Sequence, residues 1–385
     1  MKVLFDMTYA PVENTAGIII YAYRLLKGLC QIHKQNEIVL LLTEENVSIS
    51  KYEYLREFEF VVIPLVHRKT TKIIPHLRGF IYQKILNNLI LKHNITLFFS
   101  PSLFFFSLYT HQVPHIGVLH DAQAYILKKK QLLKRSIFRW RMNTLLNGLT
   151  HIITISDASK RSIKNEIHLI PEISVIYNSI DVDLKDARRE TEGFLYEPYI
   201  LCVNTLVPYK NIQTLIKAFA LLKKEIKHNL VIKGTKTTYW VRTLEPLIRE
   251  LGISERVVLI DENFDNDKMA MLYKKANLFV SSSLMEGFGF TPIEAAIYEI
   301  PVITSGIPAL YETTLGLLTY YEPVTDYGIL AKTIKKVLNT PLSLEEKKYI
   351  AARLKEKYST VQQATGYYNL FIANKVRQHE RLRAM

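Results

Sequence analysis

Leu278-Phe-Val-Ser281-Ser-Ser-Leu-Met-Glu286-Gly287-Phe288-Gly289-Phe290-Thr291-Pro292-Ile-Glu294-Ala-Ala is the stretch on which the reading of this chain turns. An apolar run ends at Ser281, two glycines follow, and a helical pattern opens at Thr291 and Pro292, residue types suited to an N-cap and a first helical position. Strand, glycine turn and helix make a βα unit whose backbone can approach a ligand closely. The amides and dipole of a helix start favour an anion there, such as a diphosphate. With Thr291 as N-cap, Glu294 reads as the N3 acid of a capping box, a structural role. Glu286 has no such role. A carboxylate at a phosphate turn repels its ligand unless it accepts hydrogen bonds from hydroxyl groups, so the turn fits a ligand carrying both phosphate and sugar-like hydroxyls.

Outward from this stretch, short apolar runs alternate with amphipathic ones along the whole chain, the mark of βα units around buried parallel sheets. Candidate strands fall at 3–6, 38–42, 60–64, 95–99, 116–120, 151–155 and 174–177, then at 199–203, 229–232, 256–260, 278–281 and 301–304. Residues 181–197 are charged and aperiodic and end before Pro198, which predicts a linker. The expectation is an α/β chain of two doubly wound, Rossmann-like domains facing across a cleft. Its parts are a first domain over 1–185, a linker over 186–198, a second domain over 199–345 and helices over 346–385 that cross back to the first. A length of 385 residues agrees with two cores rather than one.

Composition bounds the chemistry. Cys30 and Cys202 are far apart in apolar settings and read as buried small hydrophobes, which suits a reducing, cytoplasmic home. The longest apolar run, 95–109, is interrupted by Pro101 and is too short to cross a bilayer as a helix. The first residues carry Asp6 and lack the long apolar region of a signal peptide. Net charge is +14, and residues 65–165 supply all of it, with sixteen Lys and Arg against Asp121 and Asp157. So local an excess points to a polyanionic partner, either an anionic membrane or a nucleic acid; a solvated face is the bland alternative. Within it, residues 128–141 place Leu133, Ile137 and Trp140 on one helical face between cations, the layout of an interfacial helix that docks on anionic lipid. No nucleic-acid-binding module is visible, so nucleic acid is not the expected partner. Asp-x-Asp occurs as Asp181-Val-Asp183 and Asp265-Asn-Asp267, both read as surface turns, so no metal is expected.

The passage from Met271-Leu-Tyr-Lys-Lys-Ala-Asn through the glycine turn to Pro301-Val-Ile-Thr-Ser-Gly resembles the signature of the retaining glycosyltransferases of family 4, which have the GT-B fold of two Rossmann-like domains. The resemblance continues, in order, at Val118-Leu-His120-Asp121, His151-Ile-Ile-Thr-Ile-Ser156, Val175-Ile-Tyr-Asn178-Ser-Ile-Asp181 and Val203-Asn-Thr-Leu-Val-Pro-Tyr-Lys210-Asn211. It implies a nucleotide diphosphate sugar as donor and a lipid-linked or surface-glycan acceptor, without a metal. It further implies that Glu294 holds the donor ribose, Glu286 the hydroxyls of the transferred sugar and Lys210 the diphosphate. The turn Gly287, Phe288, Gly289, Phe290 and Thr291 would cradle the terminal phosphate, His120 would lie beside the donor sugar, and Gly17 would belong to a loop closing over the phosphates. Thr205 stands where relatives commonly carry a phosphate-binding arginine, and Tyr209 where others do. Lys233 and Lys236 are the candidate substitutes. These departures, with the single glycine of the Asn14-Thr-Ala-Gly17 loop, motivate the alternative of an inactive scaffold subunit of a glycan-assembly complex.

Overall fold

The computed structural model describes residues 1–10, 17–51, 53–64, 75–103, 110–121, 143, 145–167, 171–182 and 198–383. Its strands are β1 (Val3–Asp6), β2 (Ile38–Thr43), β3 (Glu59–Ile63), β4 (Leu97–Ser100), β5 (His115–Val118), β6 (His151–Thr154), β7 (Ile173–Val175), β8 (Tyr199–Val203), β9 (Asn229–Lys233), β10 (Val257–Ile260), β11 (Leu278–Ser281), β12 (Val302–Ser305) and β13 (Thr319–Tyr321). The helices are α1 (Gly17–Gln31), α2 (Pro75–Lys92), α3 (Asp157–Glu166), α4 (Ile212–Leu222), α5 (Glu245–Glu250), α6 (Asn266–Lys274), α7 (Phe290–Ile297), α8 (Pro308–Thr313), α9 (Tyr327–Asn339), α10 (Leu344–Lys357) and α11 (Thr360–Arg383). Two compact units result, one of residues 1–179 and 358–385, the other of residues 180–357.

The first unit holds a seven-stranded sheet ordered β3-β2-β1-β4-β5-β6-β7, the second a six-stranded sheet ordered β10-β9-β8-β11-β12-β13. Neighbouring strands run parallel throughout, as Val3 beside Ile38 and Phe279 beside Val302 illustrate. Parallel sheets are covered on both faces, so their strands read as continuous apolar runs. β1, β2, β4 and β6 are accordingly buried from end to end. Leu4, Val39, Leu41, Ile90 and Phe98 centre one core of the first unit, and Leu215, Phe219, Ile232, Leu244, Val280 and Ile334 centre that of the second. Both sheets reverse strand order, at β1/β4 and at β8/β11, and in such sheets ligands bind outside the carboxyl ends of the strands at the reversal.

Two sequence expectations are refined here. β13 was not anticipated: three residues at a sheet edge are too few to show periodicity. The helical stretch after residue 345 divides at Tyr358, with α10 packed on α7 in the second unit and α11 packed on α1 in the first. Residues 183–197, the core of the expected linker, and residues 128–141, the expected membrane helix, lie outside the described residues.

α11 is fastened to the first unit by bonds and by shape. Thr360 Oγ1 donates to Gln31 Oε1 at 2.6 Å, Tyr368 donates to Glu37 Oε1 at 2.6 Å, and Tyr367 and Phe371 are fully buried. Gly28 permits the close approach, since a Cβ there would stand 2.3 Å from the Thr360 carbonyl oxygen. Gly28→Ala is therefore expected to cost about 1–3 kcal/mol of stability through overpacking. Urea unfolding checks this; an unchanged midpoint would mean that α11 shifts without cost.

Candidate functional site

In the second unit the loops after β8 and β11 are laced together at the strand-order reversal. Ser282 Oγ lies within hydrogen-bond reach of both the Lys210 and Asn211 carbonyl oxygens, at 3.1 and 3.0 Å, and the Leu284 amide donates to the Tyr209 carbonyl at 2.8 Å. Asn211 takes a left-handed conformation with φ 53° and ties the turn to Val324 O through Nδ2 at 3.0 Å. These bonds aim Lys210 at the turn: its Nζ donates to Glu286 Oε1 at 2.6 Å, with side-chain exposures of 12% and 11%. The two groups expected to handle diphosphate and sugar hydroxyls thus meet as a largely desolvated ion pair.

The glycine turn is held from below by α8. Thr313 Oγ1 donates to Phe288 O at 2.6 Å, and Phe288 is buried against Phe290 with ring centroids 5.1 Å apart. Gly289 has φ 81°, and a Cβ there would stand 2.3 Å from Leu310 Cδ2, so both its conformation and its surroundings demand glycine. Gly289 is the N-cap of α7 and Phe290 its first residue. This corrects the expectation that Thr291 caps the helix and Pro292 begins it. The left-handed glycine lets helical geometry begin two residues earlier. The first-turn amides that no helical carbonyl can reach are those of Phe290 and Thr291, because Pro292 has none.

The same shift removes the capping-box account of Glu294, which now lies in the second turn of α7. Its carboxylate instead accepts from the Tyr273 hydroxyl at 3.2 Å. Tyr273 is buried in α6 and stacks on Tyr298 at 5.2 Å, which holds the Glu294 partner rigid. Its hydroxyl is held well above the usual phenol range by burial and by the Glu294 charge. Tyr273 stood inside the motif that carried the family resemblance, yet no sequence pattern pairs it with Glu294.

Thr205 is exposed just after β8. Of its two candidate substitutes, Lys233 donates through Nζ to the Glu262 carbonyl at 2.7 Å and has its ammonium pushed down by burial, while Lys236 is exposed. Asp265, of the second Asp-x-Asp, caps α6 by accepting from the Lys268 amide at 2.8 Å.

In the first unit, Gly17 opens α1. The chain leading to it is anchored by Asn46, a buried residue that sequence reasoning missed: Nδ2 donates to Met7 O at 2.7 Å and Ala10 O at 2.9 Å, and Oδ1 accepts from the Thr43 amide at 2.7 Å. His120 follows β5 by two residues. Its Nε2 lies 3.0 Å from the Pro101 carbonyl, which can only accept, so the proton is assigned to Nε2 and Nδ1 is left as an acceptor. The ring meets Tyr21 edge to face, with centroids 4.8 Å apart and planes at 86°. Burial pushes its pKa down to about 4, against the opposing bond to Pro101, and burial pushes that of His115 down to about 3.

These two histidines have a consequence for stability. Unfolded histidine titrates near pH 6.5, so between there and about 4 the unfolded chain takes protons that the folded chain refuses. Stability should be full above pH 6.5 and fall below it, by up to roughly 1.4 kcal/mol per pH unit for each histidine. Urea midpoints at pH 7.5 and pH 5 test this; equal midpoints would contradict the neutral assignment of both rings.

Comparison with known proteins covers both units. Residues 16–184 match the family described as Glycosyltransferase Family 4, and residues 185–356 the family described as Glycosyl transferases group 1. The O-antigen chain mannosyltransferase RfbU of Salmonella typhimurium is 30% identical over 209 residues, covering 53% of this chain and 56% of that protein, so the match spans little more than half of the relative. The alpha-monoglucosyldiacylglycerol synthase of Streptococcus pneumoniae is 25% identical over 370 residues, covering 90% of this chain and 81% of its own. Among solved structures, a sucrose-phosphate synthase from Thermosynechococcus elongatus superposes with a TM-score of 0.74 at 18% identity, covering 97% of this chain and 100% of the other, a likeness of fold.

Proposed function

Because the chain belongs to the group 1 glycosyltransferases of GT-B fold, its two halves matching two of their families over residues 16–356, we propose that it moves a mannose- or rhamnose-like hexose from a nucleotide diphosphate sugar to a lipid-linked or surface-polysaccharide acceptor, with retention and without a metal. The observation that carries this reading is the Lys210–Glu286 pair at 2.6 Å beside the left-handed Gly289 at the start of α7. An ammonium and a helix start suit a diphosphate, and a carboxylate suits the hydroxyls of the sugar attached to it. Glu294 would accept from the ribose hydroxyls. Neutral His120 would accept from a donor-sugar hydroxyl through Nδ1. The names of the two relatives, one acting on an O-antigen chain and one making a glycosyl diacylglycerol, support a glycan or lipid acceptor.

In the reaction so read, the bond from the anomeric carbon to the diphosphate oxygen breaks first, leaving oxocarbenium character on the sugar. The acceptor oxygen attacks the same face and its proton passes to the departing diphosphate. Lys210 and the amides at Phe290 and Thr291 stabilise the charge that develops there. The basic sequence of residues 128–141 supports a cytoplasmic protein held on the anionic inner face of a membrane. Among the described residues no helix is long and apolar enough to cross a membrane.

A panel of UDP, GDP, dTDP and ADP sugars in excess EDTA tests the reading. Release of nucleoside diphosphate from one of them, with an anomeric proton signal matching that of the donor, is the expected result. Inverted product, or activity that chelation abolishes and Mn²⁺ restores, would overturn it.

A further inference from the structure

We propose that Tyr21 and Tyr367 are positioning residues for His120, so that α11 sets the geometry of a group the chain's first unit contributes to the reaction. The proposal rests on the functional reading above for the role of His120, and on the following contacts for its own content. Two features orient the His120 ring: the edge-to-face contact with Tyr21 at 4.8 Å and the bond from Nε2 to the Pro101 carbonyl at 3.0 Å. Tyr367 of α11 stands behind both. Its hydroxyl pairs with that of Tyr21, both residues being fully buried. Its ring packs on Phe99 at 5.5 Å, and Phe99 lies two residues before Pro101. Phe99 is held in turn by Phe371 at 5.2 Å and Phe5 at 5.0 Å. One aromatic residue thus supports the ring contact and the strand end that together leave His120 a single orientation.

The same pair acts on the start of α1. Tyr21 lies four residues after Gly17 on α1, one helical turn along, so the hydroxyl pair also holds the first turn of that helix. Edge-to-face packing of Tyr21 against an imidazole favours a defined ring plane over a rotating one. A catalytic group displaced by about 1 Å can lose on the order of 10²-fold in rate, so orientation at this distance is worth holding.

The test separates positioning from plain stability and from the reaction itself. In the full chain, nitrogen-resolved NMR of His120 should show the Nε2–H tautomer and no protonation until well below pH 5. In Tyr21→Leu the Nε2–H signal should weaken and the titration should move up towards 6.5. Transfer by Tyr21→Leu should drop in kcat by roughly 10- to 100-fold with donor KM little changed, and in a His120→Ala background the same substitution should cost nothing further. Tyr367→Phe strands the buried Tyr21 hydroxyl and should reproduce part of both effects, while Tyr21→Phe/Tyr367→Phe keeps both rings, leaves no orphaned hydroxyl and should recover them. Gly28→Ala loosens α11 on α1 away from the tyrosines and should lower stability without moving the His120 titration. An unchanged His120 titration in Tyr21→Leu, or an equal loss of transfer with and without His120, would overturn the proposal. Absence of transfer by wild-type protein from every donor would sink the functional reading alone, since the NMR titration still decides the positioning.

Discussion

Lys210→Met is expected to lower transfer by about 10²–10³-fold, the usual loss when one preorganised group that stabilises developing charge is removed. Stability should fall with it. The Glu286 side chain is 11% exposed and the structure pairs it with Lys210, so removing the ammonium leaves a nearly buried carboxylate without its cation. Breaking such a pair costs about 3 kcal/mol at the lower end of the range for buried pairs. Lys210→Met/Glu286→Gln should regain most of that stability, because a neutral amide needs no counter-charge, yet should remain inactive. Nucleoside diphosphate release and urea unfolding on the three proteins decide the matter; a single variant with wild-type kcat would remove Lys210 from the chemistry.

Glu294→Ala should act on a different part of the donor. A carboxylate accepting from two ribose hydroxyls makes charge-assisted bonds, each worth about 1.5–3 kcal/mol. Its loss should weaken bare nucleoside diphosphate by roughly 10- to 100-fold. Glu286→Ala should not weaken that affinity, since it frees Lys210 for the diphosphate, yet should depress transfer, because Glu286 would touch the hexose that the bare nucleotide lacks. Isothermal titration with the nucleotide separates the two. Equal affinity in wild type and Glu294→Ala would overturn the ribose role of Glu294.

The parallel sheets were legible because burial on both faces leaves β1, β2, β8 and β11 as uninterrupted apolar runs. The glycine turn was legible for a local reason too, since two glycines between an apolar run and a helix start mark a backbone that turns where other residues cannot, as the φ of 81° at Gly289 bears out. Where the helix begins was misread: Thr291-Pro292 is a strong local start signal, and Gly289 overrode it by capping from the left-handed region. Glu294 was consequently given a structural role that its geometry does not support. Asn46, Tyr273 and Tyr367 were missed for a shared reason. Each acts on a partner 21 to 346 residues away in sequence, and no periodicity encodes such a distance.

The placement of α11 bears on how this chain reaches its native state. Residues 180–357 form a contiguous stretch whose second-unit core needs nothing that follows them. The first unit is different, for Tyr358, Tyr367 and Phe371 are buried in it and emerge from the ribosome after all of the second unit has been made. Domains generally fold as units in the order of synthesis, and here that order is inverted: the earlier-made sheet must wait, its α1 face uncovered at Gly28, until the last helix arrives. During that interval the nascent chain exposes the apolar surface that Tyr367 and Phe371 of α11 later cover. Synthesis of α11, rather than of β7, is the event that completes the first unit.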